Sequence, residues 1–390
     1  MRIGIFTDSY KPYTSGVVNS IVSFKEELSR WGHEIFIFAP NYFNHSEEEP
    51  GVYRMKSLPS PTNSDYSLAI PYYPKMQNLL KKIELDLIHA HSPFILGQVG
   101  LHCAQKQQLP LIFTYHTMYD QYVHYVPMAH DLVKKLIVQY SKYYCNKCDH
   151  VIVPSSIVKR KLNAQRITTP MTVIPTGVQL QKFATGDSGW LNEHYPATRN
   201  KKILLFVGRL TKEKNLEFLI EAFKDIHEQK IETVLVLVAG GPFEEKLKDL
   251  AVASGLILDE DIIFTGVLPY ETLGNVYHSA HLFVFTSKTE TQGLVLLEAM
   301  ASGLPAVAVR AGGVEDMVDS GQNGMLCAER RLDFKNAVCS LLDDEQVYMN
   351  MVQQAYKKAE KLSSIHMARK MEKLYRMVVN DNNKQSLITS

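Results

Sequence analysis

RIGIFTDSYKPYTSGVVNSIVSFKEELSRWGHEIFIFA, residues 2–39, sets the architecture of the chain. Residues 2–7 form an apolar run too short for a helix and rich in isoleucine and phenylalanine, the pattern of a strand buried on both faces. A polar loop, 8–16, leads into residues 17–31, where Val17, Val18, Ile21, Val22 and Leu28 share one face of a helix. Gly32 stops that helix, and residues 34–39 repeat the apolar run. Two short strands joined through a helix lie parallel, because a helical crossover returns the chain to the same end of the sheet.

The alternation continues along the chain. Strands are expected at 85–89, 111–115, 151–154 and 172–174, with helices at 95–107, 130–147 and 155–162. Residues 41–74, rich in Pro, Ser, Asn and Tyr, read as loop and edge structure. The polar segment 183–200, with Gly186, Asp187, Ser188 and Gly189 clustered, breaks the pattern and reads as a linker. A second series then places strands at 202–207, 233–239, 262–265, 281–285 and 305–309. Helical patterns at 345–361 and 366–379 close the chain ahead of a tail expected to be disordered. The expectation is an α/β protein of two Rossmann-like, doubly wound parallel-sheet domains, 1–182 and 201–364, facing across a cleft. Residues 365–390 would supply a last helix, returning to the first domain, and the tail. Ligands of such sheets bind outside the carboxyl ends of the strands.

Bulk composition narrows the function. At 390 residues there is room for two cores, and 42 basic against 41 acidic residues give a net charge of +1, no basis for a general nucleic-acid binder. No apolar stretch approaches the length of a membrane span, and the N-terminal run is too short for a secretion signal, so a cytoplasmic protein is expected. The five cysteines are odd in number and irregularly spaced, which argues against a disulfide framework. Cys145 and Cys148 have zinc-ligand spacing without the further ligands of a four-coordinate site, so they read as two thiols on one side of a helix, and no metal is expected.

The richest segment for chemistry is TSKTETQGLVLLEAM, residues 286–300. A strand end here hands over to a helix start, whose free N–H groups and partial positive charge suit a phosphate. Glu290, in the loop, can accept hydrogen bonds from sugar hydroxyls, and Glu298, inside the helix, can grip a ribose diol. Glu298 is flanked by Leu296, Leu297, Ala299 and Met300; a carboxylate in so apolar a helix is costly without a partner, which separates it from a solvated surface glutamate. GRLTKEKN, residues 208–215, follows the first strand of the second series. Arg209 can bond two phosphate oxygens at once, while Lys214 acts as a mobile point charge. A dinucleotide G-x-G-x-x-G fingerprint is absent, which counts against a dehydrogenase.

Residues 286–300, with their continuation Ala301-Ser302-Gly303-Leu304-Pro305, resemble the Glu-x7-Glu motif of glycosyltransferase family 4, and residues 208–215 resemble that family's Gly-Arg-x4-Lys element. The resemblance covers nearly the whole chain. It implies a retaining, nucleotide-sugar-dependent hexosyltransferase of the two-Rossmann GT-B fold, needing no metal bridge to the donor diphosphate and no cofactor besides the donor, a UDP-sugar. Residues 201–364 would bind the donor and 1–182 would lie on the acceptor side. The implied donor ligands are Gly16, Arg209, Lys214, Leu268, Glu290, Gly293, Leu294, Val295 and Glu298. In that assignment Arg209 and Lys214 neutralise the diphosphate, Glu298 holds the ribose, and Leu268 meets the nucleobase through its backbone. Gly16, in Ser15-Gly16 where many members have Gly-Gly, lets the backbone approach the diphosphate. His116 maps onto the family histidine beside the sugar and the reaction centre, completing the catalytic set His116, Glu290, Arg209 and Lys214. Asp8, Tyr119 and His124 are candidates on the acceptor side.

Within the family, TDSYKP at 7–12, HAHSPF at 89–94 and ETQG at 290–293, where other branches usually carry Glu-Gly-Phe-Gly, look like the branch that transfers glucose from UDP-glucose to diacylglycerol. A lipid acceptor and a peripheral position on the inner face of the cell membrane follow as expectations. Segments 69–83 and 130–147 both combine aromatic, aliphatic and lysine residues as interfacial helices do. Sister branches act on polysaccharide, polyprenol-linked or small soluble acceptors. A non-catalytic nucleotide-sugar-binding protein is the alternative of another class, and the intact motif set argues against it.

Overall fold

The computed structural model describes residues 1–42, 49–60, 66–71, 73–118 and 130–389. The chain divides into two compact units: Met1–Gly177 together with Ser364–Ser390, and Val178–Ser363.

In the first unit the strands are β1 (Arg2–Phe6), β2 (Glu34–Pro40), β3 (Val52–Met55), β4 (Ser57–Pro59), β5 (Ser67–Ala69), β6 (Leu87–Ala90), β7 (Leu111–Thr114), β8 (His150–Val153) and β9 (Met171–Val173). β4 and β5 pair as an antiparallel hairpin, and the other seven form one parallel sheet in the order β3-β2-β1-β6-β7-β8-β9. The region read as loop and edge structure therefore supplies the edge strand β3 and the hairpin. β6, β7 and β8 are buried along their whole length, which is why they read as continuous apolar runs. The helix Gly16–Arg30 starts where Ser15 Oγ accepts a hydrogen bond from the Val18 N–H at 3.3 Å, and it buries Val18, Ile21, Phe24 and Leu28. Strand order reverses between β1 and β6, so the loops leaving these strands diverge at the carboxyl end of the sheet.

The last helix, Ser364–Thr389, starts earlier than its apolar periodicity suggests and continues through the residues expected to be a disordered tail. No glycine or proline interrupts it, and Met367, Met371, Leu374, Tyr375 and Val378 are buried along one stripe. Its start is tied to helix Gly16–Arg30 by the buried Glu27, which accepts from Ser364 Oγ at 2.7 Å and from Arg30 at 3.1 Å.

The second unit contains β10 (Lys202–Val207), β11 (Thr233–Val238), β12 (Ile262–Phe264), β13 (Leu282–Phe285), β14 (Ala306–Val309) and β15 (Gly324–Cys327), all parallel in the order β12-β11-β10-β13-β14-β15. β15 was not among the expected strands: its apolar run, Met325-Leu326-Cys327, is only three residues long, and in the fold Met325 and Leu326 are half-buried. The boundary between the units falls at Gly177 and Val178, and the stretch 183–200, read as a linker, is part of the second unit. It begins at the last residue of the short helix Leu180–Phe183 and contains the helix Trp190–His194, with Phe183 and Leu191 buried in the core. The glycine-containing run that looks flexible is close-packed: a Cβ on Gly186 would lie 2.8 Å from the Gly274 carbonyl oxygen.

Candidate functional site

In the second sheet the order reverses between β10 and β13, and the two segments singled out for chemistry are the loops leaving these strands. Side chains and backbone stitch the loops together. Thr286 Oγ1 donates to the Lys214 carbonyl at 2.9 Å, the Lys288 N–H donates to the Glu213 carbonyl at 3.3 Å, and Lys214 Nζ donates to the Glu290 carboxylate. A third loop, leaving β14, closes on the same point. The Gly313 N–H donates to the Glu290 carbonyl at 2.8 Å. A Cβ on Gly312 would lie 2.6 Å from that carbonyl oxygen, and one on Gly313 would lie 2.2 Å from the Thr291 oxygen, so this approach admits only glycine.

The charges are unequal in availability. Burial alone would raise the Glu290 carboxyl, but the Lys214 ammonium and the Ser287 hydroxyl outweigh it and hold Glu290 below its usual range, hence ionised. Lys214 is thereby engaged. Lys288 pairs with Glu329 at 2.8 Å. Arg209, by contrast, is exposed, and its guanidinium has no hydrogen-bond or ion-pair partner among the described residues. It is the open cation of the expected pair.

Gly293, at φ +85°, turns the chain into the helix Leu294–Ala301, so Leu294 and Val295 stand at its N-terminal turn. Glu298 lies further along and is 4% exposed. Tyr277 donates its hydroxyl to Glu298 Oε2 at 3.0 Å, and Tyr270 bonds the same carboxyl. Burial dominates, and the Glu298 carboxyl is pushed up to about 7 against the two tyrosines and Lys182, which pull it down. Leu268, in the loop after β12, is half-buried against the core.

In the first unit Asp8 lies in the loop after β1 and bridges to the loop after β6. Oδ2 accepts from Ser92 Oγ at 2.5 Å and Oδ1 from the Leu96 N–H at 2.8 Å, so each oxygen already has a donor. Burial raises its carboxyl in spite of these bonds. Gly16 is the exposed first residue of its helix, and a Cβ there would meet nothing within 4 Å, so packing does not demand glycine at this position. His116 follows β7, and its Nε2 lies 2.8 Å from His91 Nδ1. Tyr119 and His124 lie outside the described residues. Sequence reasoning missed His91, Ser92, Tyr270, Tyr277, Ser287, Gly312 and Gly313. His91 and Ser92 had a signal in HAHSPF, since they sit one and two positions beyond a buried strand; the tyrosines had none.

Residues 192–358 match the family model described as Glycosyl transferases group 1, and residues 14–182 match Glycosyltransferase Family 4. The chain is similar to the alpha-monoglucosyldiacylglycerol synthase of Streptococcus pneumoniae, 35% identical over 317 residues that cover 79% of this chain and 71% of that one. It is also similar to the alpha-monoglucosyldiacylglycerol synthase of Acholeplasma laidlawii, 30% identical over 403 residues covering 99% of each. A GDP-mannose-dependent alpha-mannosyltransferase of Corynebacterium glutamicum is 31% identical, with 89% of this chain and 82% of that one covered. Among solved structures, sucrose-phosphate synthase from Thermosynechococcus elongatus superposes with a TM-score of 0.80 at 22% identity, covering 97% of this chain and 99% of that one. Anabaena HepE in complex with UDP superposes with a TM-score of 0.78 at 18% identity, covering 97% and 100%. These likenesses show the GT-B fold of two parallel-sheet α/β domains.

The raised Glu298 carboxyl has a consequence for stability. Between its ordinary value of 4.5 and its folded value of about 7 the folded chain binds the proton that the unfolded chain has released. Stability from this group is therefore complete below the first value and lost as pH rises through the second. Glu298→Gln removes the titration while keeping an acceptor for Tyr277. The stability of the variant relative to wild type should rise between pH 4.5 and pH 8, by on the order of 3 kcal/mol. Chemical denaturation at the two pH values checks this; a constant difference would contradict it.

Proposed function

The chain belongs to glycosyltransferase family 4, and from that premise we propose that it is a retaining hexosyltransferase that moves glucose from UDP-glucose to diacylglycerol, giving an α-glycolipid. The observation that carries the donor side is the set on the loops and helix that leave β10 and β13 at one strand-order reversal: the ionised Glu290, the buried Glu298, and the Arg209 guanidinium, which has no partner among the described residues. A diphosphate needs cations and free N–H groups, a ribose needs an acceptor for two hydroxyls, and a hexose needs an acceptor outside the helix. Arg209 and the N–H groups beyond Gly293 meet the first need, Glu298 the second and Glu290 the third. Leu268 is assigned to the nucleobase and Gly16 to the diphosphate.

No carboxylate in this set is free to act as a nucleophile beneath the anomeric carbon, since Glu290 and Glu298 are assigned to hydroxyls. The reading is therefore front-face transfer. The acceptor hydroxyl bonds to the anomeric carbon on the side from which the diphosphate departs, and the departing phosphate oxygen takes the hydroxyl proton. Arg209, Lys214 and the helix start stabilise the charge that develops on the leaving group. His116 positions the sugar.

The lipid acceptor is supported by the likeness to the two bacterial alpha-monoglucosyldiacylglycerol synthases and by the surface of helix His130–Cys145. Leu136 and Tyr143, one heptad apart, are 55% and 54% exposed, with Lys134, Lys135 and Lys147 exposed beside them. In the other candidate, 69–83, helix Tyr73–Ile83 buries Met76, Leu80 and Ile83 in the core and leaves Lys81 and Lys82 outside, while Ile70 ahead of it is exposed. No helix among the described residues is long and apolar enough to cross a membrane, which makes contact from one side the reading for this chain.

Two experiments test the proposal. Purified protein with UDP-glucose and mixed micelles of diacylglycerol should yield α-monoglucosyl-diacylglycerol, identified by mass spectrometry and the anomeric proton coupling. Turnover confined to a soluble or polyprenol acceptor, or a β-linked product, would replace this reading. The double variant Leu136→Glu, Tyr143→Glu should weaken binding to anionic vesicles by at least roughly tenfold, because two side chains lose their apolar burial, while UDP affinity stays at the wild-type level. Unchanged vesicle binding would move the membrane contact off this helix.

A further inference from the structure

Arg209 is an exposed residue on a backbone that is otherwise tightly held. Its neighbours on both sides are bonded to the loop that leaves β11. The Gly208 N–H donates to the Val238 carbonyl at 3.0 Å, and the Leu210 N–H donates to the Gly240 carbonyl at 3.1 Å. Phe243, which precedes helix Glu244–Ala253, adds a third bond: its N–H donates to the Leu210 carbonyl at 3.1 Å. Leu210 itself is fully buried in the core of the second unit. The Arg209 side chain therefore leaves from a segment whose peptide groups on either side are fixed by one neighbouring loop.

That loop is held in turn. Ala239 directly follows β11 and sits at φ +113°, a conformation that a residue with a Cβ adopts only where its surroundings impose it. Its N–H donates to the Gly266 carbonyl at 3.0 Å, two residues ahead of Leu268. β11 lies between β12 and β10 in the sheet, so residues 239–243 are tied on one side to the loop that carries Leu268 and on the other to the loop that carries Arg209. The second contact is a close approach of main chain to main chain. A Cβ on Gly241 would lie 2.4 Å from the Leu210 oxygen, 2.7 Å from its nitrogen and 2.8 Å from its carbonyl carbon. These are backbone atoms of a buried residue, which cannot swing aside as the end of a long side chain can. Gly241 is not among the residues of positive φ, so space and not conformation demands glycine there. At Gly240, next to it, a Cβ would meet Glu244 and Val267 at 3.6 Å, an ordinary contact.

We infer that Gly241 is a positioning residue: by admitting the Leu210 backbone against it, it lets the loop after β11 hold Arg209 where a diphosphate meets it. The inference deepens the reading of Arg209 as the diphosphate cation and rests on it for its functional meaning. A long arginine side chain loses freedom when it grips an anion. Fixing the backbone it springs from removes part of that cost before the ligand arrives. On the same reading the loop also sets the spacing between the nucleobase and diphosphate contacts, since it is bonded to Gly266 ahead of Leu268 and to Gly208 and Leu210 around Arg209.

The test uses the full chain, with UDP titrated in a calorimeter and amide hydrogen exchange as a readout that needs no ligand. In the nucleotide-free wild type the Gly208 and Leu210 amides should be protected from exchange. Gly241→Ala should speed exchange at both by roughly tenfold and weaken UDP binding roughly five- to tenfold. The same substitution placed in Arg209→Ala should cost no further UDP affinity, because the side chain it positions is gone; general damage to the fold would weaken UDP there as well. Gly240→Ala should leave both readouts at their wild-type values. Wild-type UDP affinity in Gly241→Ala while Arg209→Ala weakens it, a further loss in the double variant, or equal losses from Gly240→Ala would each overturn the inference. If Gly241→Ala does not fold, exchange in the wild type decides: protection at Gly208 and Leu210 without nucleotide supports the clamp, and unprotected amides sink it. Amides that are protected in the wild type and open in Gly241→Ala, in a protein whose UDP affinity is indifferent to Arg209, would leave the clamp standing and remove the diphosphate reading instead.

Discussion

The contact on which the second unit's site depends is the ion pair between Lys214 and Glu290. β10 and β13 are neighbours in the sheet, yet their following helices go to opposite sides, and nothing in the ladder obliges the two loops to meet. The pair brings them together, with the Thr286 hydroxyl on the Lys214 carbonyl reinforcing it, and the Gly312-Gly313 turn fixes Glu290 from behind. Both partners are largely withdrawn from water, so removing either would leave an uncompensated charge at a cost of about 3–5 kcal/mol. The same pair divides the labour between the two cations. Lys214 is neutralised within the protein while Arg209 has no partner among the described residues, so on the proposed reading a diphosphate would gain Arg209 outright and share Lys214 with Glu290.

Glu298 plays a different part from Glu290 although both belong to one motif. Eight positions apart, they sit in opposite electrostatic settings: Glu290 beside an ammonium and held ionised, Glu298 among apolar residues and two tyrosine hydroxyls with its carboxyl pushed up to about 7. A diol that donates hydrogen bonds to Glu298 favours its ionised form. Nucleotide binding and proton release near neutrality are thereby coupled on the proposed reading, and the fold bears the cost of a buried carboxyl at that position when no ligand is bound.

Much of this was legible in residues 2–39, 208–215 and 286–300. Apolar runs of strand length separated by amphipathic helices carry the parallel sheets, and the Arg209, Lys214, Glu290 and Glu298 segments fall at strand ends because the runs before them are unmistakably buried strands. Apart from the last helix, what was not legible rests on contacts between residues far apart in sequence. The stretch 183–200 looks like a linker by its glycines and polar residues, but Gly186 is small because Gly274 passes against it. The tail continues as helix since no residue stops it, a property that weak periodicity conceals. His89 meets Tyr375 across 286 positions and His91 meets His116 across 25, so no local pattern could announce these contacts. The tyrosines that hold Glu298 are ordinary core residues until the carboxylate is placed beside them.

The central claim is that the strand-order reversal of the second unit is a nucleotide-diphosphate site in which Arg209 is the available cation. Isothermal titration calorimetry of UDP against the wild-type chain and Arg209→Ala tests it most directly. A charge-assisted hydrogen bond is worth about 1.5–3 kcal/mol, so the account predicts affinity at least roughly tenfold weaker in the variant. Equal affinity for UDP in the two proteins would contradict it.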